Sequence, residues 1–214
     1  MKFNKSKLSL FVSLLFFVGF LWIAHGVYYN APWIMELDFY GNEIFRLDIS
    51  HEVSLMIFAF THIGNIRNLL YMALVIGGLL LYNKKKRSFF WFGITMGFAG
   101  GVAPLVLKHA IGRARPTDGL MLRSGYSFPS GHTMGTLALY GLVIILALTY
   151  IKTAWLRYTV MIISLAIILI ISWSRVHLGV HYLSDVMGGL LLGLSFLIIS
   201  WWILSRFNVT QERN

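Results

Sequence analysis

Long apolar segments alternate with short polar ones along most of this chain. Because a helix needs about 20 apolar residues to cross a bilayer, six segments are predicted to be transmembrane helices. Their approximate bounds are Leu8–Tyr28, Ile66–Tyr82 (or an earlier start), Ser88–Ile111, Gly131–Ile151, Ala154–Ser174 and Tyr182–Ser205. An even number of spans places both termini on one side. The pattern predicts an all-α integral membrane bundle that forms a single domain over residues 1–214.

Two segments allow more than one interpretation. Trp33–His62 mixes acidic with large apolar residues, which is typical of an amphipathic helix along the outer membrane interface. An ordered loop is the alternative, and the sequence does not separate the two. The first 26 residues have the basic start, apolar run and small residues of a signal peptide. The apolar run of about 17 residues is long for such a peptide, so we favour a retained first helix.

Glycines recur every four residues on two of the predicted spans. Gly93, Gly97 and Gly101 lie on the third span, and Gly189 and Gly193 lie on the sixth. Small residues at this spacing let helix backbones approach closely. We therefore predict that both stripes pack against neighbouring helices, with a homodimer interface as the alternative.

The composition agrees with a membrane protein. Hydrophobic residues make up 57% of the chain and charged residues 12%, against about 25% charged residues in soluble domains. The chain has no cysteine, which excludes a disulfide framework and a thiolate metal site. The net charge of +10 is divided among loops and does not form the basic stripe of a nucleic-acid-binding face, so no nucleic-acid partner is expected.

The charged loops predict an orientation in the membrane. Short loops rich in lysine and arginine mark the cytoplasmic side. Such residues precede the first span, follow the sixth, and fill the loops between spans two and three and between four and five: Lys2, Lys5, Lys7, Lys84, Lys85, Lys86, Arg87, Lys152, Arg157, Arg206 and Arg213. The loop after the first span is instead acidic. We expect cytoplasmic termini, in a multi-pass protein of the cell membrane.

Three polar blocks interrupt the apolar sequence, and this orientation places all of them at the outer face. They are Lys108 with Arg115-Pro116, then Pro129-Ser130-Gly131-His132, then Ser174-Arg175 with His181 and Asp185. Charged groups in an apolar chain are costly and usually mark function. Together these blocks supply cations, histidines and a carboxylate, which suits binding a phosphate and attacking its phosphorus.

The first two blocks suit anion binding. Lysine supplies a compact charge and arginine a planar fork for two phosphate oxygens, although Lys108 could instead snorkel toward headgroups. Gly112 predicts that the helix ends before Arg115. Ser130 can cap the following helix, whose free N–H groups bind anions, and His132 can donate a proton to a leaving oxygen. The neighbouring Arg113 and Arg123 are predicted to face water.

The third block suits nucleophilic attack. His181 and Asp185 lie four residues apart, which makes them neighbours on one helical face. A carboxylate on one ring nitrogen fixes the tautomer and leaves the other nitrogen free to attack. His177 also lies four residues before His181, a spacing that permits zinc, but the clustered cations oppose a divalent ion. We expect no metal, and structural or headgroup roles for His177 and His109.

The three blocks resemble the signatures of the type 2 phosphatidic acid phosphatase superfamily, which read Lys-x6-Arg-Pro, Pro-Ser-Gly-His and Ser-Arg-x5-His-x3-Asp. The resemblance implies that His181 forms a phosphohistidine, that Asp185 orients it, and that His132 protonates the leaving group and then activates water. It implies no metal and no other cofactor. It also implies that the phosphate oxygens are held by Lys108, Arg115, Ser130, Gly131 and Arg175.

The expected function is therefore a lipid phosphatase that works at the outer face of the membrane. The resemblance implies phosphatidylglycerophosphate as substrate, with undecaprenyl pyrophosphate, a lipid diphosphate, as the alternative. A protein that only binds or transports an anionic lipid would also need cations, but it would not need an oriented nucleophile. The His181–Asp185 pair thus favours catalysis over binding alone.

Overall fold

The computed structural model describes residues 5–121 and 124–206, and this part of the chain contains helices and no β-strand. The two shortest helical segments are a 3₁₀ turn at His62–Gly64 and a π-helical segment at Met96–Val102. The α-helices are α1 (Lys5–Tyr28), α2 (Pro32–Phe45), α3 (His51–Thr61), α4 (Ile66–Tyr82), α5 (Lys86–Thr95), α6 (Ala103–Ile111), α7 (Gly131–Tyr150), α8 (Ala154–His177) and α9 (Leu183–Arg206). The predicted all-α fold is confirmed.

Five helical segments of the described chain are long and apolar enough to cross a membrane: Lys7–Tyr28, Lys86–Ile111, Gly131–Tyr150, Ala154–His177 and Leu183–Arg206. A sixth span results if Glu52–Gly64 and α4 count as one segment, bent by 48°. The bend explains why α4 alone, at 17 residues, is short for a bilayer of about 30 Å. The structure thus agrees with six predicted spans, the second beginning before Ile66.

The third span changes its helical form along its length. It runs from α5 through the π-helical segment into α6, and Pro104 lies in the first turn of α6, where a missing N–H costs least. Gly112 ends α6 with a φ of +68°, a backbone conformation that glycine adopts readily. The predicted end of this helix between Lys108 and Arg115 is confirmed.

Helix α7 lies at the centre of the bundle and is buried on nearly all sides along its first half, Thr133–Leu142. It packs against α9 through close contacts at glycine: a Cβ at Gly193 would come within 2.6 Å of Leu137, and one at Gly189 within 3.2 Å of the Ser130 carbonyl oxygen. Helix α1 lies along α9, where the Ser13 hydroxyl donates to the Ser195 carbonyl at 2.9 Å. The packing role predicted for Gly189 and Gly193 is confirmed.

The packing predicted for Gly93, Gly97 and Gly101 is wrong. A Cβ built at any of these positions would meet no heavy atom within 4 Å. The three glycines instead line an open groove of about 380 Å³ between α4 and the α5–π segment. A stripe of small residues looks the same in sequence whether a neighbouring helix closes on it or leaves a gap.

The segment Trp33–His62 forms two helices, α2 and α3, joined by a short connection. The second of them, α3, belongs to the bent pair that can count as the second span. One face of α2 is buried, through Ile34, Asp38 and Gly41. A Cβ at Gly41 would lie 2.5 Å from the Leu183 Cβ, so α2 rests directly on the start of α9. The segment is helical and not an ordered loop, and α2 lies beside the third polar block. Its position at the membrane interface stays a prediction.

Candidate active site

His181 lies in the short connection between α8 and α9. The helix α8 ends at His177, and the chain turns through Gly179, whose φ is +65°. The backbone N–H groups of Val180 and His181 both donate to the Arg175 carbonyl at 3.2 Å. This turn places the His181 ring 1% exposed beside Asp185 in the first turn of α9. The pair meets as predicted, but across the helix start and not along one helical face.

The partners of His181 fix its tautomer. Nδ1 lies 3.2 Å from Asp185 Oδ2, and because a carboxylate only accepts, Nδ1 carries the hydrogen. Nε2 lies 3.0 Å from Arg115 Nη1, and because a guanidinium only donates, Nε2 offers its lone pair. The unprotonated nitrogen therefore points at the first polar block.

Asp185 is held on both carboxylate oxygens. Oδ2 accepts from the Tyr182 N–H at 2.9 Å and from the Ser127 hydroxyl in a short contact. Oδ1 accepts from Arg113 Nη1 at 2.8 Å. With a fully buried side chain, Asp185 has one orientation, and that orientation presents Oδ2 to His181.

Arg115 and Arg175 surround the histidine with positive charge. Arg115 is anchored by the carbonyls of Val180 at 2.7 Å and Gly125 at 3.0 Å. Arg175 is 1% exposed and donates from Nη1 to the Thr61 hydroxyl at 2.9 Å. Burial lowers the pKa of His181 most, Asp185 opposes this, and the two arginines lower the pKa further. The imidazole is therefore neutral at pH 7.

The second block begins α7 and is tied to the same place. Ser130 caps α7 by accepting from the Thr133 N–H at 3.4 Å, and its own N–H donates to the Asp185 carbonyl at 3.1 Å. A Cβ at Gly131 would lie 3.7 Å from Lys108 Cε. Lys108 Nζ in turn donates to the carbonyls of Tyr126 at 2.6 Å and Ser127 at 3.1 Å. The lysine thus lies beside the first N–H groups of α7.

His132, one residue further along α7, bonds to a residue that the sequence did not single out. Its Nε2 lies 2.7 Å from Asn65 Oδ1, at the bend between the 3₁₀ turn and α4. An amide oxygen only accepts, so this contact keeps a hydrogen on Nε2. Asn65 directly precedes a predicted span, where asparagine is common as a helix cap. Its position in the sequence therefore does not mark it as a partner of His132.

Arg113 does not face water, and that prediction is wrong. Its side chain is 14% exposed and forms ion pairs with Asp38 at 2.5 Å and with Asp185 at 2.8 Å. Two buried carboxylates outweigh the hydration of the guanidinium here. Arg123 lies outside the described residues. His177 stacks on Trp173, and His109 bonds to the Leu105 carbonyl. The structural or headgroup roles of both histidines stay predictions.

The described structure thus gathers residues of all three blocks at one end of the bundle. The His181 lone pair, the His132 ring with a hydrogen on Nε2, and the cations Lys108, Arg115 and Arg175 lie at the end of the bundle where α7 starts. The free N–H groups of a helix start favour an anion. Such an arrangement in a helical bundle is the one expected of a membrane protein that binds an anion beside a nucleophile.

Comparison with known proteins gives the family. Residues 88–208 match the model of the PAP2 superfamily, and the chain belongs to this family. The chain is 34% identical over 139 residues to phosphatidylglycerophosphatase B of Bacillus subtilis (strain 168), a match that covers 63% of this chain and 66% of that protein. It is 37% identical over 131 residues to a lipid A 1-phosphatase of Rhizobium johnstonii, covering 54% of this chain and 49% of that protein.

A solved structure resembles nearly the whole chain. The crystal structure of the transmembrane PAP2 type phosphatidylglycerolphosphate phosphatase from Bacillus subtilis aligns with a TM-score of 0.81 and 26% identity, covering 94% of this chain and 98% of that one. The likeness confirms a transmembrane PAP2 fold. The sequence matches span between about half and two thirds of the curated relatives.

Proposed function

We propose that this protein is a membrane phosphatase that removes the phosphate of a lipid through a phosphohistidine on His181. One observation carries the proposal: the hydrogen of His181 is held by Asp185, and its lone pair faces Arg115. A site that only binds an anionic headgroup needs the cations but not this oriented nitrogen. Family membership supports the same reaction class.

In the first step, the phosphate takes the place of Nε2 as the partner of Arg115 and so frees the lone pair. Nε2 bonds to phosphorus while the phosphorus–oxygen bond to the lipid breaks. His132 gives its proton to the departing oxygen, and Asp185 stabilises the positive charge that develops on the imidazole. In the second step, His132 takes a proton from water, the water oxygen bonds to phosphorus, and the phosphorus–nitrogen bond breaks.

The transferring phosphoryl group is stabilised by positioned positive charge, as phosphoryl transfer generally requires. We assign this role to Lys108, Arg115 and Arg175, with the Gly131 N–H at the start of α7. The Ser130 hydroxyl caps that helix and also accepts from the Thr133 hydroxyl at 3.0 Å. We propose that Ser130 helps to form the phosphate site at this helix start. We propose that the reaction needs no metal ion, because these cations supply the charge that a metal would otherwise provide.

The groove between α4 and the α5–π segment supports a lipid substrate. One end of the groove is lined by Ile66. The residue before it, Asn65, bonds the proposed proton donor His132. From Ile66 the groove continues along Gly101, Gly97 and Gly93. A tail in this groove would place its headgroup beside the start of α7. We propose phosphatidylglycerophosphate as substrate, the class named for the Bacillus relative.

The test is phosphate release by the purified protein in detergent, with excess chelator, from three lipids in parallel. These are phosphatidylglycerophosphate, undecaprenyl pyrophosphate and lipid A 1-phosphate. We expect chelator-resistant turnover with the highest kcat/KM on the first, and loss of turnover and of an acid-labile phosphoenzyme in His181→Ala. A higher kcat/KM on the diphosphate would reassign the substrate. Full activity in His181→Ala would disprove the mechanism.

A further inference from the structure

A buried acid outside the three polar blocks contacts the proposed catalytic carboxylate through one arginine. Asp38, on α2, is 4% exposed. The Arg113 guanidinium lies between Asp38 and Asp185, with Nη2 on Asp38 Oδ2 at 2.5 Å and Nη1 on Asp185 Oδ1 at 2.8 Å. Its Cζ lies 4.1 Å from the centre of the Tyr182 ring. The arginine is therefore fixed on three sides.

Ser184 closes this network at the start of α9. Its N–H donates to Asp38 Oδ1 at 2.8 Å and its hydroxyl to Asp38 Oδ2 at 3.0 Å. Arg113 Nη1 donates to the same hydroxyl at 2.6 Å. Asp38 thus also satisfies a free N–H group in the first turn of α9, where a negative charge is favoured. The interfacial helix α2 is thereby bonded to the helix that carries Asp185.

We propose that Asp38 and Arg113 are positioning residues for the His181–Asp185 pair, an inference that rests on the proposed function. Arg113 holds Oδ1 of Asp185, so the other oxygen, Oδ2, faces the imidazole. Asp38 offsets the charge of Arg113, so that Asp185 keeps its negative charge for the imidazolium that forms during attack. In this way α2 becomes part of the catalytic apparatus although none of its residues touches the phosphate.

Asp38 and Arg113 together determine the net charge around His181. Two carboxylates around one guanidinium leave one net negative charge. The other charges that face His181 are Arg115 from the loop after α6 and Arg175 from α8. Without Asp38, Arg113 would neutralise Asp185, and the two remaining cations, Arg115 and Arg175, would oppose the positive charge on the histidine. Without Arg113, two buried carboxylates would lie together with no cation between them, and one would bind a proton.

The experiment compares purified full-length variants on the lipid that the wild type hydrolyses best. Asp38→Asn keeps the shape and the acceptor for Ser184 but removes the charge, and Arg113→Gln removes the cation. We expect each to lower kcat about tenfold to a hundredfold, the loss that follows removal of the partner that orients a metal-bound histidine, with KM within about twofold. Because the residues act as one unit, we expect the double variant to be no worse than the worse single variant.

Two further readouts separate positioning from a structural role. Asp38→Asn should move the acid limb of the pH–rate profile to lower pH, because losing a nearby negative charge disfavours protonated His181. Arg113→Lys keeps the charge without the fork, so its kcat should lie between those of the wild type and Arg113→Gln. This milder variant also tests the proposal if Arg113→Gln does not fold.

A matched control is available in the same two elements. Arg46 at the end of α2 pairs with Asp118 in the loop after α6 at 2.7 Å, and Asp118 is 69% exposed. Asp118→Asn should keep the wild-type kcat. An equal loss in Asp118→Asn, a wild-type kcat in Asp38→Asn, or losses confined to KM would overturn the positioning role while leaving the proposed function intact. Absence of lipid phosphate turnover in the wild type would overturn both.

Discussion

At the scale of single residues, the proposed chemistry depends on which ring nitrogen carries a hydrogen. Asp185 holds the hydrogen on Nδ1 of His181, Asn65 holds one on Nε2 of His132, and Arg115 faces the remaining lone pair of His181. These contacts agree with the opposite roles that we propose for the two histidines, His181 as nucleophile and His132 as proton donor. Both histidines make these contacts in the structure without a bound substrate.

The burial of His181 predicts the pH dependence of the reaction. Its pKa is lowered by burial and by Arg115 and Arg175, against the influence of Asp185, so the ring stays neutral below the usual histidine value of about 6.5. We expect kcat/KM for the lipid substrate to stay nearly constant as pH falls from 7 to about 5.5. The values must first be corrected for ionisation of the substrate phosphate. An acid limb at pH 6.5 or above, assigned to the enzyme, would contradict this expectation.

The variant His132→Gln is the control for this profile. It should lose the alkaline limb, which reports deprotonation of the proton donor, and keep the acid behaviour of His181 in its residual activity. The lowered pKa of His181 also has a consequence for stability. The unfolded chain binds this proton more tightly than the fold does, so stability should fall as pH drops below about 6.5.

At the scale of elements, the third span is the most unusual helix of the described chain. Its π-helical segment widens the helix over Met96–Val102, and its glycine stripe faces an open groove and not a neighbouring helix. π-Helical segments occur frequently at functional sites. Here the segment lines part of the groove and leads directly into α6, which carries Lys108 near its end.

A leucine in the groove tests whether it holds the lipid tail. We expect Gly97→Leu to raise KM for a long-chain lipid phosphate about tenfold, since losing burial of roughly two CH₂ groups costs about 1.6 kcal/mol. The kcat, and the kcat/KM for a short-chain soluble analogue, should change little. Gly78→Leu is the matched control, because Gly78 also has open space around it and does not line the groove. Equal KM effects in both variants would argue against a tail site.

At the scale of the whole molecule, segments far apart in the chain meet at one end of the bundle. The loop after α6, the start of α7 and the α8–α9 connection bring residues of all three polar blocks together, and α2 lies across them. The lysine-rich loop between α4 and α5 lies at the opposite end of these helices. By the positive-inside rule, we propose that the polar end faces outward.

Labelling of single cysteines tests this orientation, because the chain has none of its own. Thr117→Cys, in the exposed loop after α6, should react in intact cells with a maleimide that cannot cross the membrane. Lys84→Cys, exposed between α4 and α5, should react only after the membrane is permeabilised. The reverse pattern would place the proposed site in the cytoplasm.

The sequence by itself determined the helical class, the approximate bounds of the spans and the family. These features depend on local information, namely the length of apolar runs and the spacing of residues within short signatures. The end of α6 at Gly112 and the cap at Ser130 were predictable for the same reason. The roles of the signature residues stay predictions, as does the single domain.

Only the tertiary structure decided which residues support the signatures. Asp38 and Asn65 come from other segments, and Ser127 lies two residues before the second block without being part of its signature. A buried acid in an amphipathic helix has the same sequence pattern as a solvated one. Arg113 looked like a loop cation until packing placed it between two carboxylates. Desolvation makes such partners obligatory, but only the relative positions of the helices determine which partners they are.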